Sequence, residues 1–198
     1  THVRQIEVTD TSSAIAAAMT NLSSNTMVTS IIQKGEISPL SMTAAQLVSN
    51  QDGLNKINGG YTVAITGATA NEAVSYASNA KVKSVAILDS SANVASKLDA
   101  LKDLGLRIKE IRTSDTTAMA VTAEQVKNDA LVLGKIYSSY QLAVANATSL
   151  DVNALSTNKK VVSVDIVDTG ANVIKTLALY KKLGTDLNSI KITDDTTP

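Results

Sequence analysis

Cysteine, phenylalanine and tryptophan are absent from the 198 residues, histidine occurs once and proline twice. Without cysteine there is no disulfide, no thiol nucleophile and no thiolate metal site. With His2 as the only histidine and no G-x-S-x-G elbow, a Ser-His-Asp arrangement is not expected. Lysine plus arginine and aspartate plus glutamate both total 18, so no net field draws the chain to nucleic acid or to an anionic membrane surface. No apolar run approaches the roughly 20 residues of a membrane span, and the first residues lack the basic-then-apolar pattern of a signal peptide. Neither nucleic acid nor membrane insertion is therefore expected. The chain starts at Thr1 and stops after DDTTP (194–198), which reads as a piece of a longer chain.

What is present is 44% apolar content, supplied mainly by Ala, Val, Ile and Leu. A core of small aliphatic side chains suits thin, regular layers. The length alone implies one or two domains, but an internal repeat overrules that expectation. VRQIEVTD (3–10), VKSVAILD (82–89) and VVSVDIVD (161–168) recur at a step of 79 residues. Two further strand-like segments keep the step: TSIIQKGE (29–36), IKEIRTSD (108–115) and LNSIKITD (187–194), then YTVAIT (61–66) and YQLAVA (140–145). Both complete periods are read without an insertion. The chain thus divides into super-repeats 3–81, 82–160 and a partial 161–198, all within a single repeat domain, 1–198.

Each segment alternates apolar and polar residues and is rich in β-branched side chains, as a strand should be. Helix-like stretches follow: SSAIAAAMTNL (12–22), SANVASKLDALKDLG (91–105) and GANVIKTLALYKKLG (170–184) after the first strand type. Val94, Leu98, Leu101 and Leu104 form one apolar stripe, and Gly105 and Gly184 stand where a positive-φ residue ends a helix. A second helix type is expected over 43–57 and 122–136, and a shorter third over 70–79 and 149–158. PLSMT (39–43) and MAVT (119–122) read as brief extended segments. Alternating strands and helices with short links imply parallel strands joined by right-handed crossovers. Short units repeated in this way build a parallel-sheet α/β solenoid, here one sheet backed by one row of helices. The competing doubly wound nucleotide-binding sheet wants a glycine-rich turn after its first strand. DSSAN (89–93) and DTGAN (168–172) have no G-x-G-x-x-G, and no P-loop lysine motif occurs. No cofactor is expected.

Asp10, Asp89, Asp168, Asp115 and Asp194 all stand where a strand ends. As a row of carboxylates they invite a calcium reading, but one carboxylate per unit supplies too few oxygens. The turn chemistry favours carboxylates that accept N–H bonds from the following turn or cap the helix start. Asn93 and Asn172 recur at the same helix opening. His2 holds the place of Lys81 and Lys160, so it reads as a solvated strand start. Tyr61 and Tyr140 begin equivalent strands, whereas Tyr76, Tyr137 and Tyr180 share no repeat position. Lys97, Asp99, Lys102, Asp103, Lys175, Lys181 and Lys182 read as a solvated helix face. Arg4, Lys83, Lys109, Arg112 and Lys191 fall on outward strand positions and are the candidates for surface recognition.

The L-x-x-I-x-I-x-D pattern of LNSIKITD resembles leucine-rich repeats, with aspartate where that family carries an asparagine ladder. The phrases V-x-S-V-x-I-x-D-[ST]-x-A-N-V-x-x-x-L, T-A-x-Q and Y-x-L-A-V resemble the Ala/Thr/Ser/Asp-rich repeats of very large bacterial secreted or cell-surface proteins, including type I-secreted, adhesin-like chains. That resemblance covers the whole chain and implies a non-catalytic, extracellular structural module such as an adhesin stalk. Its expected partners are neighbouring repeats of the same chain, with self-association through uncovered ends near Val3, Ile6, Ile190 and Ile192. The alternative is a solenoid module that recognises carbohydrate or protein through its exposed sheet face.

Overall fold

The computed structural model describes residues 4–194. Its chain is α/β, about 40% helix and 32% strand, and every strand pairing with a stated register is parallel. Elements of the first copy are β1 (Ile6–Asp10), α1 (Ser12–Ser24), β2 (Val28–Gln33), β3 (Leu40–Thr43), α2 (Ala44–Ser49), α3 (Gln51–Asn55), β4 (Val63–Ala68) and α4 (Ala70–Ser75). The second copy runs through β5 (Val82–Asp89), α5 (Ser91–Leu101), β6 (Ile108–Thr113), β7 (Met119–Thr122), α6 (Ala123–Asn128), α7 (Ala130–Leu133), β8 (Leu142–Ala147) and α8 (Val152–Thr157). The third contributes β9 (Val161–Asp168), α9 (Gly170–Tyr180) and β10 (Leu187–Ile192).

The chain forms two compact units, one holding residues up to Leu88 with Leu106–Glu110, the other Asp89–Gly105 with Ile111 onward. In the first, β1 pairs β2, and β3, β4 and β5 lie side by side in a sheet that β6 completes. In the second, β7, β8, β9 and β10 lie side by side. Within each sheet the spatial order is the chain order, without the reversal that defines a doubly wound sheet. Inward positions are aliphatic and buried throughout: Val63, Ile65 and Ala68 in β4, Val82, Val85 and Ile87 in β5, Leu142, Val144 and Ala147 in β8, and Val161, Val164 and Ile166 in β9. The stripe Val94, Leu98, Leu101 and Leu104 is buried as its spacing requires.

Local geometry repeats with the sequence. Gly67 has φ 64° and its counterpart Asn146 has φ 54°, and at each the parallel register slips between Ile65 and Ala68 or between Val144 and Ala147. A bulge at this point needs a positive φ; glycine provides it freely, and asparagine is among the side chains that tolerate it. Gly105 and Gly184 also have positive φ, 52° and 54°.

Two expectations are corrected. The second helix type is not continuous: α2 ends and α3 begins at Asn50, and α6 ends and α7 begins at Asp129, both with φ −105° and ψ near 20°. Each break carries a buried polar side chain. The second strand type, moreover, does not keep the 79-residue step between its first two copies. Val28 and Ile31 are the buried pair of β2, matching Ile108 and Ile111 of β6 at a step of 80. The closing backbone bonds agree: the amides of Lys34, Ser114 and Thr193 donate to the carbonyls of Asp10, Asp89 and Asp168. The first copy is one residue shorter before β2 and one longer after it, so the step of 79 is restored by β3.

Truncating Leu98 to Ala is expected to cost about 2–5 kcal/mol, while Ile174→Ala on exposed α9 should stay within about 0.5 kcal/mol. Urea unfolding of the two variants checks the contrast.

Candidate functional site

The strand-end carboxylates are hydrogen-bonded into the helix starts. The caps themselves are hydroxyls: Thr11, Ser90 and Thr169 accept from the amides of Ala14, Asn93 and Asn172. The aspartate just before each cap accepts the cap residue's own amide, at 2.7 Å for Asp10, 2.8 Å for Asp89 and 2.8 Å for Asp168. The same oxygens of Asp89 and Asp168 accept from Nδ2 of Asn93 and Asn172 at 2.7 and 2.8 Å, so the recurrent asparagine is a partner of the carboxylate. Asp115 and Asp194, at the end of the following strand, reach back to the first helical amide: Ser91 N donates to Asp115 at 3.1 Å and Gly170 N to Asp194 at 2.6 Å. Asp168 also accepts from the amide of Ser149 at 2.9 Å. Helix N-termini leave amides unpaired and carry partial positive charge. The carboxylates satisfy both, and they tie elements 19 to 24 residues apart.

These bonds set the electrostatics. The donors from Asn172 and Ser149 hold the Asp168 carboxyl far below the usual carboxylate range, and bonds from Ser91 and then Thr117 lower Asp115. Among the described residues, no three His, Cys, Asp or Glu side chains gather closely enough to hold a metal ion.

Two lysines pair with carboxylates inside the second unit, which sequence reasoning missed. Lys102 lies 2.9 Å from fully buried Asp129, and Lys127 pairs with Asp151 beside a cavity of about 250 Å³ lined by Ala123, Val126, Ala154 and Leu155. Burial pushes the Asp151 carboxyl up, but Lys127 and the Thr148 donors outweigh it and leave it lowered. Lys102 is thus not a wholly solvated residue, and Asp99 accepts from Gln125 Nε2 at 2.9 Å. The signal was faint because the first copy has Asn50 and Glu72 where the second has Asp129 and Asp151.

The exposed basic residues fall in both units: Arg4, Lys83 and Lys109 in the first, Arg112 and Lys191 in the second. Arg112 lies 4.8 Å from the Tyr137 ring centre. The tyrosine just before β4 and β8 carries a cation in both complete copies, Lys81 over Tyr61 at 4.1 Å and Lys160 over Tyr140 at 4.6 Å. Around the latter, Thr116, Ser139, Gln141 and Lys159 complete an open polar cleft of about 410 Å³. Such a cleft offers hydroxyl and amide partners, an aromatic face and positive charge. His2 and Val3 lie outside the described residues.

A carboxyl whose pKa is depressed on folding stabilises the fold above its unfolded value, about 3.9, and that stabilisation is lost as pH falls toward the folded value. Asp168 and Asp115 should make stability constant above about pH 5 and falling below about pH 4. Asp168→Asn is expected to destabilise the protein at neutral pH and flatten the acid slope; chemical denaturation from pH 7 to pH 2 reads both.

Comparison with protein-family models, with curated proteins and with solved structures finds no match for this chain.

Proposed function

We propose that the chain is a non-catalytic structural and interaction module of a secreted or cell-surface repeat protein, acting as an elongated scaffold or adhesin stalk. The observation that carries this reading is the strand order: parallel strands follow the chain within each sheet, and the helix starts after β1, β5 and β9 share one aspartate–hydroxyl cap. A chain built this way spends its sequence on repetition. Continued in a line, the layers form a solenoid, and many copies of one face along a rod gain avidity without a strong single site.

Residue variation supports a second reading, recognition of carbohydrate or protein through the sheet face. Outward positions that correspond between copies carry Arg4, Lys83 and Val162 in one row and Ile32, Arg112 and Lys191 in another. The cleft around Tyr140 lies in the same chain. Titration with heparin as an acidic polysaccharide probe should shift the amides near Tyr140 and lose that response in Lys160→Ala; no response in the parent chain removes this reading.

Each complete 79-residue copy adds four strands, so tandem chains with added copies should lengthen linearly with the number of copies. Small-angle scattering measures this directly. Growth of the radius of gyration as roughly the 0.38 power of chain length, as in a compact domain, would contradict the stalk.

A further inference from the structure

The helix after the first strand type is buried in two copies and open in the third. In the first unit Met19 of α1 is 1% exposed, and α3 approaches so closely that a Cβ on Gly53 would stand 2.8 Å from the Met19 sulfur. In the second unit Leu98 of α5 is 0% exposed, covered by β7 and α7, and Lys102 at the end of α5 reaches buried Asp129 at the start of α7. Leu177 holds the corresponding place in α9 and is 54% exposed; Ile174 beside it is 71% exposed. Lys181, in the place of Lys102, is exposed as well.

The neighbouring strand repeats the contrast. Ile31 and Ile111 are fully buried, and each exchanges two backbone bonds with a later segment: Ile31 with Lys56 and Asn58, Ile111 with Lys135 and Tyr137. Ile190, their counterpart in β10, is 39% exposed, Ile192 is 48% exposed, and β10 is an edge of its sheet. An open strand edge beside exposed aliphatic side chains is a template for another segment.

The geometry points to one occupant for the α9–β10 face: a strand–helix segment with the pattern of Met119–Ile136, that is, a short strand, a T-A-x-Q helix start, an acid or amide at the helix break and a closing isoleucine. This deepens the stacked-repeat reading and rests on it. The two covered copies specify what fits. The residues on either side of the isoleucine would bond Ile190 as Lys135 and Tyr137 bond Ile111, the helix would cover Leu177 as α7 covers α5, and an acid at the break would meet Lys181. A second copy docking by its β1 edge does not supply these parts, because β10 corresponds to β2 and β6, whose free side pairs with the segment that leads into β4 or β8.

The test joins residues 116–147 as an additional segment to the C-terminus of the full chain through a flexible Gly/Ser linker, so that weak docking is still populated. Hydrogen exchange at the amides of Leu177 and Ile190 should then slow by about tenfold or more. Leu177→Glu should leave the unextended chain's stability unchanged and abolish that protection in the extended one; Val121→Asp in the added segment alone should do the same. Protection that is absent, or that survives Leu177→Glu, would overturn the assignment. So would a dimer of the unextended chain that Leu177→Glu disperses, since the face would then belong to a second copy. Linear growth of tandem chains is a separate readout, so failure here leaves the stalk standing, and failure there does not mimic loss of protection.

Discussion

The fold depends on each strand–helix pair being covered by the segment that follows it. With no Phe or Trp to fill space, inward positions are Ala, Val, Ile, Leu and Met, and one pair cannot bury its own aliphatic face. Leu98 is buried because β7 and α7 lie over α5; Met19 is buried because α3 crosses α1 so closely that only glycine fits at residue 53. Burying aliphatic area is the main favourable term in folding, so coverage by the next segment sets local stability. The exposed Ile174, Leu177, Ile190 and Ile192 are the same positions without a cover.

Polar contacts fix the spacing that this coverage needs. Asp115 and Asp194 accept the first amide of a helix 24 residues earlier, and Asp168 holds the amide of Ser149 while Ser149 Oγ meets Tyr180 Oη at 2.8 Å. Charge-assisted bonds to helix N-termini are stronger than neutral ones, and each here links one strand–helix pair to the next. The carboxylates that suggest a cation-binding row from a distance are thus engaged with backbone amides.

Much of this was legible in the residues. The V-x-x-V-x-I-x-D strands, the short extended LSMT and MAVT segments and the stripe at Val94, Leu98, Leu101 and Leu104 follow from period two and period 3.6 alone. Parallel pairing in chain order follows from the alternation of strands and helices. The register of β2 did not, because adjacent Ile31 and Ile32 satisfy an alternating pattern in either phase, and burial of Val28 with Ile31 decides between them. Nor did the helix breaks, which fall at the buried polar residues Asn50 and Asp129. The Lys102–Asp129 and Lys127–Asp151 pairs differ between copies, so periodicity could not mark them. The tyrosine–lysine pairs at strand starts recur at the 79-residue step, yet sequence spacing placed the rings without their cations.

Residue-resolved hydrogen exchange on the unmodified chain is the most direct measurement of the central claim, because the copies serve as internal controls. If coverage by the following segment sets stability, the amides of Leu98 and Ile111 exchange far more slowly than those of Leu177 and Ile190, although the paired residues are identical in type and repeat position. Equal protection across the two pairs would contradict it.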